Sequence, residues 1–250
     1  MVEAAKHRRV RQGLGVAYTI LPGPRNQDVV RIVPGKGDLK FIACVVDGWN
    51  NREFLPENET GRKVAEFVAE RFPQIFQETK IRDLKKRAQA ACQTMDSEVL
   101  SRWPAHASCL GTFLFSFDKK DVIVTVGSVV VFLWDGRRWY RPKSIGNYSL
   151  DDSKYASDVS RFFGRGELKN NSFYSCEPDV TICPPEKPIF IASDGLEDLF
   201  TLEQFNAFTQ SLLSQPAKVF ARTLQEEIQR KKDQQKDDIA FLIKNWPPKK

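Results

Sequence analysis

Apolar residues recur along this chain in two rhythms. Short uninterrupted runs, Phe41-Ile-Ala-Cys-Val-Val46 and the segments 110–117, 121–126, 129–134, 188–192 and 239–244, have the length and β-branched content of buried strands. Two further strands are predicted over 14–20 and 28–33, around the turn-rich Pro22-Gly-Pro-Arg-Asn26, and one over 138–142. The second rhythm is helical. Val64, Phe67, Val68, Phe72 and Phe76 share one face of a helix from Glu59 to Phe76, and Ala88, Ala91, Met95 and Val99 do the same from Leu84 to Leu100. Two later helices are predicted over 201–213, with Thr201 as cap before Glu203, and over 216–230. The polar, aperiodic stretch 146–171 reads as a surface loop or flap with one helical turn around 153–163.

The order of elements is strands, two helices, strands, two helices, strand. It fits neither a βαβ alternation nor an all-β protein. Two antiparallel sheets stacked face to face, each covered on its outer face by a helix pair, bury every apolar stripe, so the predicted fold is α+β, a four-layer αββα sandwich. No repeat or Pro/Gly/Ser-rich linker divides the 250 residues, and residues 1–250 are expected to form a single domain.

At 41% hydrophobic and 11% aromatic the chain can fill a sizeable core. No apolar stretch reaches membrane-span length, and the N-terminal Met1-Val-Glu-Ala-Ala-Lys-His-Arg-Arg lacks an apolar signal core. No membrane association and a cytoplasmic location are expected. Cys44, Cys92, Cys109, Cys176 and Cys183 are odd in number and contain no Cys-x-x-Cys, which suits small core residues in a reducing compartment. The net charge of +6 is dispersed over helices and termini, which argues against a nucleic-acid partner.

Acids placed at the ends of such runs change the picture. Phe41–Val46 leads into Asp47-Gly48, Ile189-Phe-Ile-Ala-Ser leads into Asp194-Gly195, and Asp237-Asp238 opens the run that ends at Ile243. Asp135-Gly136, between two strands, is explained by a hairpin turn. The other acids belong to different strands, and a sheet that brought them together would bury mutually repelling carboxylates unless hard divalent cations offset them.

The order of these motifs resembles the metal-dependent PPM/PP2C family of serine/threonine protein phosphatases, from about Leu14 to Asn245. Ala192-Ser-Asp-Gly-Leu196-Glu-Asp198 is similar to the family's Ala-Ser-Asp-Gly-Leu-x-Asp segment, Lys236-Asp-Asp-Ile239 to its Arg-Asp-Asn-Ile, and Val46-Asp-Gly48 to its first Asp-Gly. Asn26-Gln-Asp28, Gly111-Thr112, Val126-Gly-Ser128, Ser160-Arg-Phe-Phe-Gly164 and Pro178-Asp-Val180 fall where the family has similar short segments.

The resemblance implies hydrolysis of phosphoserine and phosphothreonine in proteins by a water bridging two Mg²⁺ or Mn²⁺ ions. It implies that Asp47 bridges both ions, that Asp194 and Asp237 complete one coordination shell, that the Gly48 carbonyl serves the other, and that Asp28, with Gln27, acts through bound waters. These acids are then the catalytic set. Gly48 and Gly195 would let backbone approach an ion. A guanidinium is needed for the phosphate, and Arg25 is the candidate, with Arg8, Arg9 and Arg11 as substitutes. The partner is a phosphoprotein substrate, with a cognate Ser/Thr kinase.

Where the family carries His or Met followed by two glycines, this chain has Trp49-Asn50-Asn51, and the chain's two histidines are His7 and His106. Serine departure would then rely on metal-bound water as acid, slowing turnover without abolishing it. Gly127-Ser128-Val129 lacks the acid of the family's Gly-Asp-Ser element, and Asn147-Tyr-Ser149 replaces an Asp-His-Ser that can hold a third metal, so that the third site is either lost or supplied by Asp151 or Asp152. A pseudophosphatase, the same sandwich used as a binding or regulatory module, is the rival reading; a two-metal nuclease would favour a continuous basic groove that the sequence does not show.

Overall fold

The computed structural model describes residues 11–13, 15–21, 26–50, 59–103, 107–127, 129–143, 163–164, 176–235 and 237–247. In chain order the strands are β1 (Arg11–Gly13), β2 (Val16–Leu21), β3 (Val29–Pro34), β4 (Leu39–Asn50), β5 (Ala107–Phe117), β6 (Asp121–Val126), β7 (Val130–Trp134), β8 (Trp139–Tyr140), β9 (Asp179–Cys183), β10 (Ile189–Ala192) and β11 (Ile239–Lys244). Helices α1 (Glu59–Glu78) and α2 (Leu84–Arg102) separate β4 from β5; α3 (Leu202–Gln210) and α4 (Ala217–Arg230) separate β10 from β11.

Two antiparallel sheets result, one of six strands in the order β1-β2-β11-β10-β7-β8 and one of five in the order β3-β4-β5-β6-β9. The uninterrupted apolar runs have a direct cause. In β4, Ile42, Cys44 and Val46 pack under α1 and α2, whereas Phe41, Ala43 and Val45 pack between the sheets. In β11, Ile239, Phe241 and Ile243 face α3 and α4, whereas Ala240 and Leu242 face the other sheet. A strand sandwiched on both sides has no polar face to show, so period-two alternation disappears. Three apolar layers between four layers of structure give the expected αββα sandwich.

Helix ends follow local chemistry. Thr201 caps α3 in a full capping box: its Oγ1 accepts from Gln204 N at 3.2 Å and its own N–H donates to Gln204 Oε1 at 3.0 Å. Asp83 Oδ1 accepts from Lys86 N at 2.9 Å and caps α2. At the β7–β8 hairpin Gly136 takes φ +103° and Asp135 Oδ1 accepts from Arg137 N and Arg138 N, so this Asp-Gly is a turn.

The differences from expectation are local. Phe67 lies at the rim of its layer, with its ring 5.3 Å from that of Trp103 and Arg102 stacked above it. β1 and β9 were not expected, and the strand expected over 138–142 is two residues long. The cysteines are free, four of them buried and Cys176 partly so. The expected flap over 146–171 lies outside the described residues except for Gly164, whose N–H donates to Asp96, and Phe163, which bridges to Cys109. Among the described residues no helix is long and apolar enough to cross a membrane.

Candidate metal centre

Strand register carries the sequence-predicted acids to one rim of the sandwich. Asp28 immediately precedes β3, whose Val29 pairs with Val46 on β4, so Asp28 sits beside Asp47 at the same end of the five-stranded sheet. Asp47 is not at a strand end as expected: β4 continues through it to Asn50, with Asp47 opposite Leu110 and Gly48 opposite Cys109. It follows Phe41, Ala43 and Val45 in period two, which places it on the face that looks toward the second sheet. In that second sheet Ala192 pairs with Phe241, and Ser193 N donates to Ala240 O at 2.9 Å, so Asp194 and the Asp237-Asp238 pair emerge together. The two sheets meet here through Gln27 N, which donates to Asp238 Oδ2 at 2.5 Å.

The electrostatics of this rim are one-sided. Burial pushes the Asp28 carboxyl well above the usual range; the charges of Asp238, Asp194 and Asp237 raise it further, against a hydrogen bond from Ser193. Enclosure likewise raises Asp47, followed by the charges of Asp28, Asp194 and Asp237 and by its close approach to the Asp28 side chain. Among the described residues no cationic side chain figures in these causes. Asp28 is 3% exposed, and its Oδ2 is buried with no hydrogen-bond partner. An all-oxygen donor set with an orphaned buried carboxylate oxygen fits Mg²⁺ or Mn²⁺ in chemistry. As the side chains stand, no three Asp, Glu, His or Cys among the described residues converge closely enough to grip an ion.

The two glycines also admit neighbouring backbone. A Cβ on Gly48 would lie 2.4 Å from the carbonyl oxygen of Gly61 in the first turn of α1, and a Cβ on Gly195 would lie 2.2 Å from the carbonyl oxygen of Asp238. Each lets one backbone approach another: Gly48 docks α1 against β4, and Gly195 brings the Asp194 turn against the start of β11. The proximity of Asp194 to Asp237 and Asp238 depends on the second contact.

Solved structures share this architecture. The serine/threonine phosphatase of S. agalactiae superposes with a TM-score of 0.68 at 14% identity, over 91% of this chain and 97% of its own. The PPM Ser-Thr phosphatase MsPP from Mycobacterium smegmatis, solved with cacodylate, gives 0.62 at 17% identity, over 95% of this chain and 99% of its own. The chain has the PPM-type phosphatase fold. The catalytic domain of the serine threonine protein phosphatase PstP, solved in complex with 2 manganese ions, gives 0.60 at 14% identity, over 91% of this chain and 96% of its own. No protein-family model matches the sequence, and no curated protein matches it.

Within this PPM-type fold, three features of the rim escaped sequence reasoning. Asp238 is 2% exposed and is the acid tied across to Gln27, whereas the motif comparison singled out its neighbour Asp237. Ser193 Oγ accepts from Ala240 N at 2.9 Å and donates to the Asp238 carbonyl at 3.4 Å, and its hydroxyl works against the rise of the Asp28 carboxyl. Glu197, one turn past Asp194, pairs with Arg141 at 2.6 Å. Each joins residues far apart in sequence, and only the burial of the Ser193 hydroxyl within the Ala-Ser-Asp-Gly run hinted at any of them. Arg25, His7, His106, Asn51, Ser128, Asn147-Tyr-Ser149, Asp151 and Asp152 lie outside the described residues.

Proposed function

We propose that this chain is a divergent PP2C-like phosphatase, one domain over residues 1–250, that hydrolyses phosphoserine and phosphothreonine in proteins with the help of two divalent cations. The observation that carries the proposal is the gathering of Asp28, Asp47, Asp194, Asp237 and Asp238 at one rim, where burial and the neighbouring carboxylates push Asp28 and Asp47 well above the usual range. Asp47, Asp194 and Asp237, with the Gly48 carbonyl, would hold Mg²⁺ or Mn²⁺, and Asp28 would act at second remove. Bound ions supply Lewis acidity toward the phosphoryl oxygens and a nucleophile at neutral pH. The chain's own contributions are to hold the acids on a rigid double sheet and to orient Asp28 through Ser193. Arg25 is assigned to the phosphate, for which a guanidinium offers a two-pronged match. A phosphoprotein, with its Ser/Thr kinase, is the partner that chemistry requires, and the free thiols suit the cytoplasm.

The test is turnover of p-nitrophenyl phosphate and of a phosphothreonine peptide with added MnCl₂ or MgCl₂. Hydrolysis should depend on the metal, cease in EDTA, and fall at least about 100-fold in Asp194→Asn, more than the loss typical of a residue that only supports a ligand. Among the described residues no three carboxylates converge on one point, which is the observation that favours the rival pseudophosphatase. That reading gains if the protein binds Mn²⁺ or a phosphopeptide but shows no turnover sensitive to Asp194→Asn.

A further inference from the structure

The ion pair between Arg141 and Glu197 has no part in the hydrolysis proposed above, yet it is built into the same corner of the fold. Arg141 Nη2 lies 2.6 Å from Glu197 Oε1, with the two side chains 12% and 28% exposed. The partners come from separate places. Arg141 directly follows β8, the outermost strand of the six-stranded sheet. Glu197 closes the single 3₁₀ turn Asp194–Leu196, and its N–H donates to the Asp194 carbonyl at 2.7 Å. The backbone that presents Asp194 is therefore held at its far side by an arginine from the sheet edge.

Two physical points argue that this contact does more than add stability. The Glu197 carboxyl and the Arg141 guanidinium are both largely removed from water, and losing that hydration offsets much of their attraction. A half-buried pair of this kind gains little net stability over apolar side chains of similar size. The turn is also anchored without it, since Leu196, Leu199 and Phe200 are buried in the layer beneath α3 and α4. That apolar anchor fixes the depth of the turn; the Arg141 contact adds a directional constraint at Glu197, one residue beyond the turn.

We propose that Arg141 and Glu197 are positioning residues for Asp194, orienting its turn against the sheet so that the chain can take a divalent cation. The proposal rests on the metal-dependent reading above. Manganese affinity measured by calorimetry, together with melting temperature in EDTA, tests it in the full chain. Glu197→Gln and Arg141→Met should each weaken Mn²⁺ binding by about 10–100-fold, the range seen when a group that orients a ligand is removed. Arg141→Lys should recover part of the affinity, and the Glu197→Gln/Arg141→Met double variant should bind no more weakly than the worse single variant, as expected for groups that act as one unit. The melting temperature of the Glu197→Gln/Arg141→Met double variant in EDTA should not fall. If the variants bind Mn²⁺ as the unaltered chain does, whether or not they melt earlier, the pair is only packing and the positioning role is wrong. If the unaltered chain itself takes up no Mn²⁺, the metal-dependent reading fails first and this inference fails with it.

Discussion

The two ends of the sheet sandwich solve the problem of a buried carboxylate in opposite ways. At one end Asp121, fully buried at the start of β6, is met by Lys244 from the last position of β11, whose Nζ also donates to Pro185 O at 2.6 Å. Burial still raises Asp121, but the lysine's hydrogen bond and charge and the Ser116 hydroxyl work against it. At the other end of the same strand lies Asp238, on the same face of β11 as Lys244 by period two, among Asp28, Asp47, Asp194 and Asp237. The lysine end finds its countercharge within the protein. The aspartate end gathers negative charge that a cation from solution would offset, and this asymmetry distinguishes a structural ion pair from a candidate binding site.

Breaking the lysine end should have the largest effect. Lys244→Met leaves Asp121 buried and uncompensated, and should cost about 3–5 kcal/mol in urea unfolding, whereas Lys244→Met combined with Asp121→Leu should recover most of that loss. A double variant as unstable as the single one would mean that Lys244 matters for packing rather than charge. At the aspartate end the sign should reverse. In protein freed of divalent ions, Asp47→Asn relieves repulsion and should stabilise the chain, raising its urea midpoint. A destabilised Asp47→Asn in EDTA would remove the contrast between the two ends.

The smallest and most gradual effect is with pH. Asp28 and Asp47 titrate higher in the folded chain than in the unfolded one. Their stabilising contribution is therefore complete below the unfolded carboxylate range, at about pH 4, and is lost as pH rises through their elevated folded values. Without divalent ions the melting temperature should climb as pH falls from 8 toward 5, and Asp47→Asn should flatten that climb. Mn²⁺ favours the ionised acids and should reverse its slope. A melting temperature that falls with acidification throughout this window, with or without metal, would show that the rim acids are not coupled as described.

Most of the architecture was legible because burial on both faces leaves a plain mark. The continuous apolar run at 41–46, the helical stripes at 64–76 and 88–99, and the Thr201 cap each come from local rules that the packed molecule keeps. β1 left no such mark, since Arg11-Gln-Gly13 joins the sheet edge through backbone pairing that needs no apolar side chain. β9, Asp179-Val-Thr-Ile-Cys183, was obscured because Ile182 is 51% exposed while Thr181 is buried, an inversion of the usual pattern at the outer strand of its sheet. β4 ran past its expected end because pairing with β5 continues to Asn50 opposite Ala107, and carries Asp47 inside the ladder.

By itself the sequence determined the four helices, most of the strands and how many layers they make, and it marked Asp28, Asp47, Asp194 and Asp237 as acids at or near the ends of apolar runs, since hydrophobic period, capping and residue chemistry are properties of neighbours along the chain. Only the tertiary structure decided that Asp238 joins Gln27 across the two sheets, that Gly48 and Gly195 admit backbone, that Lys244 neutralises Asp121, and that Arg141 holds the Asp194 turn. The reason is physical. Repulsion, close approach and ion pairing depend on distance in space and on exclusion of water, and neither exists for residues as far apart in sequence as 27 and 238 until the sheets have stacked.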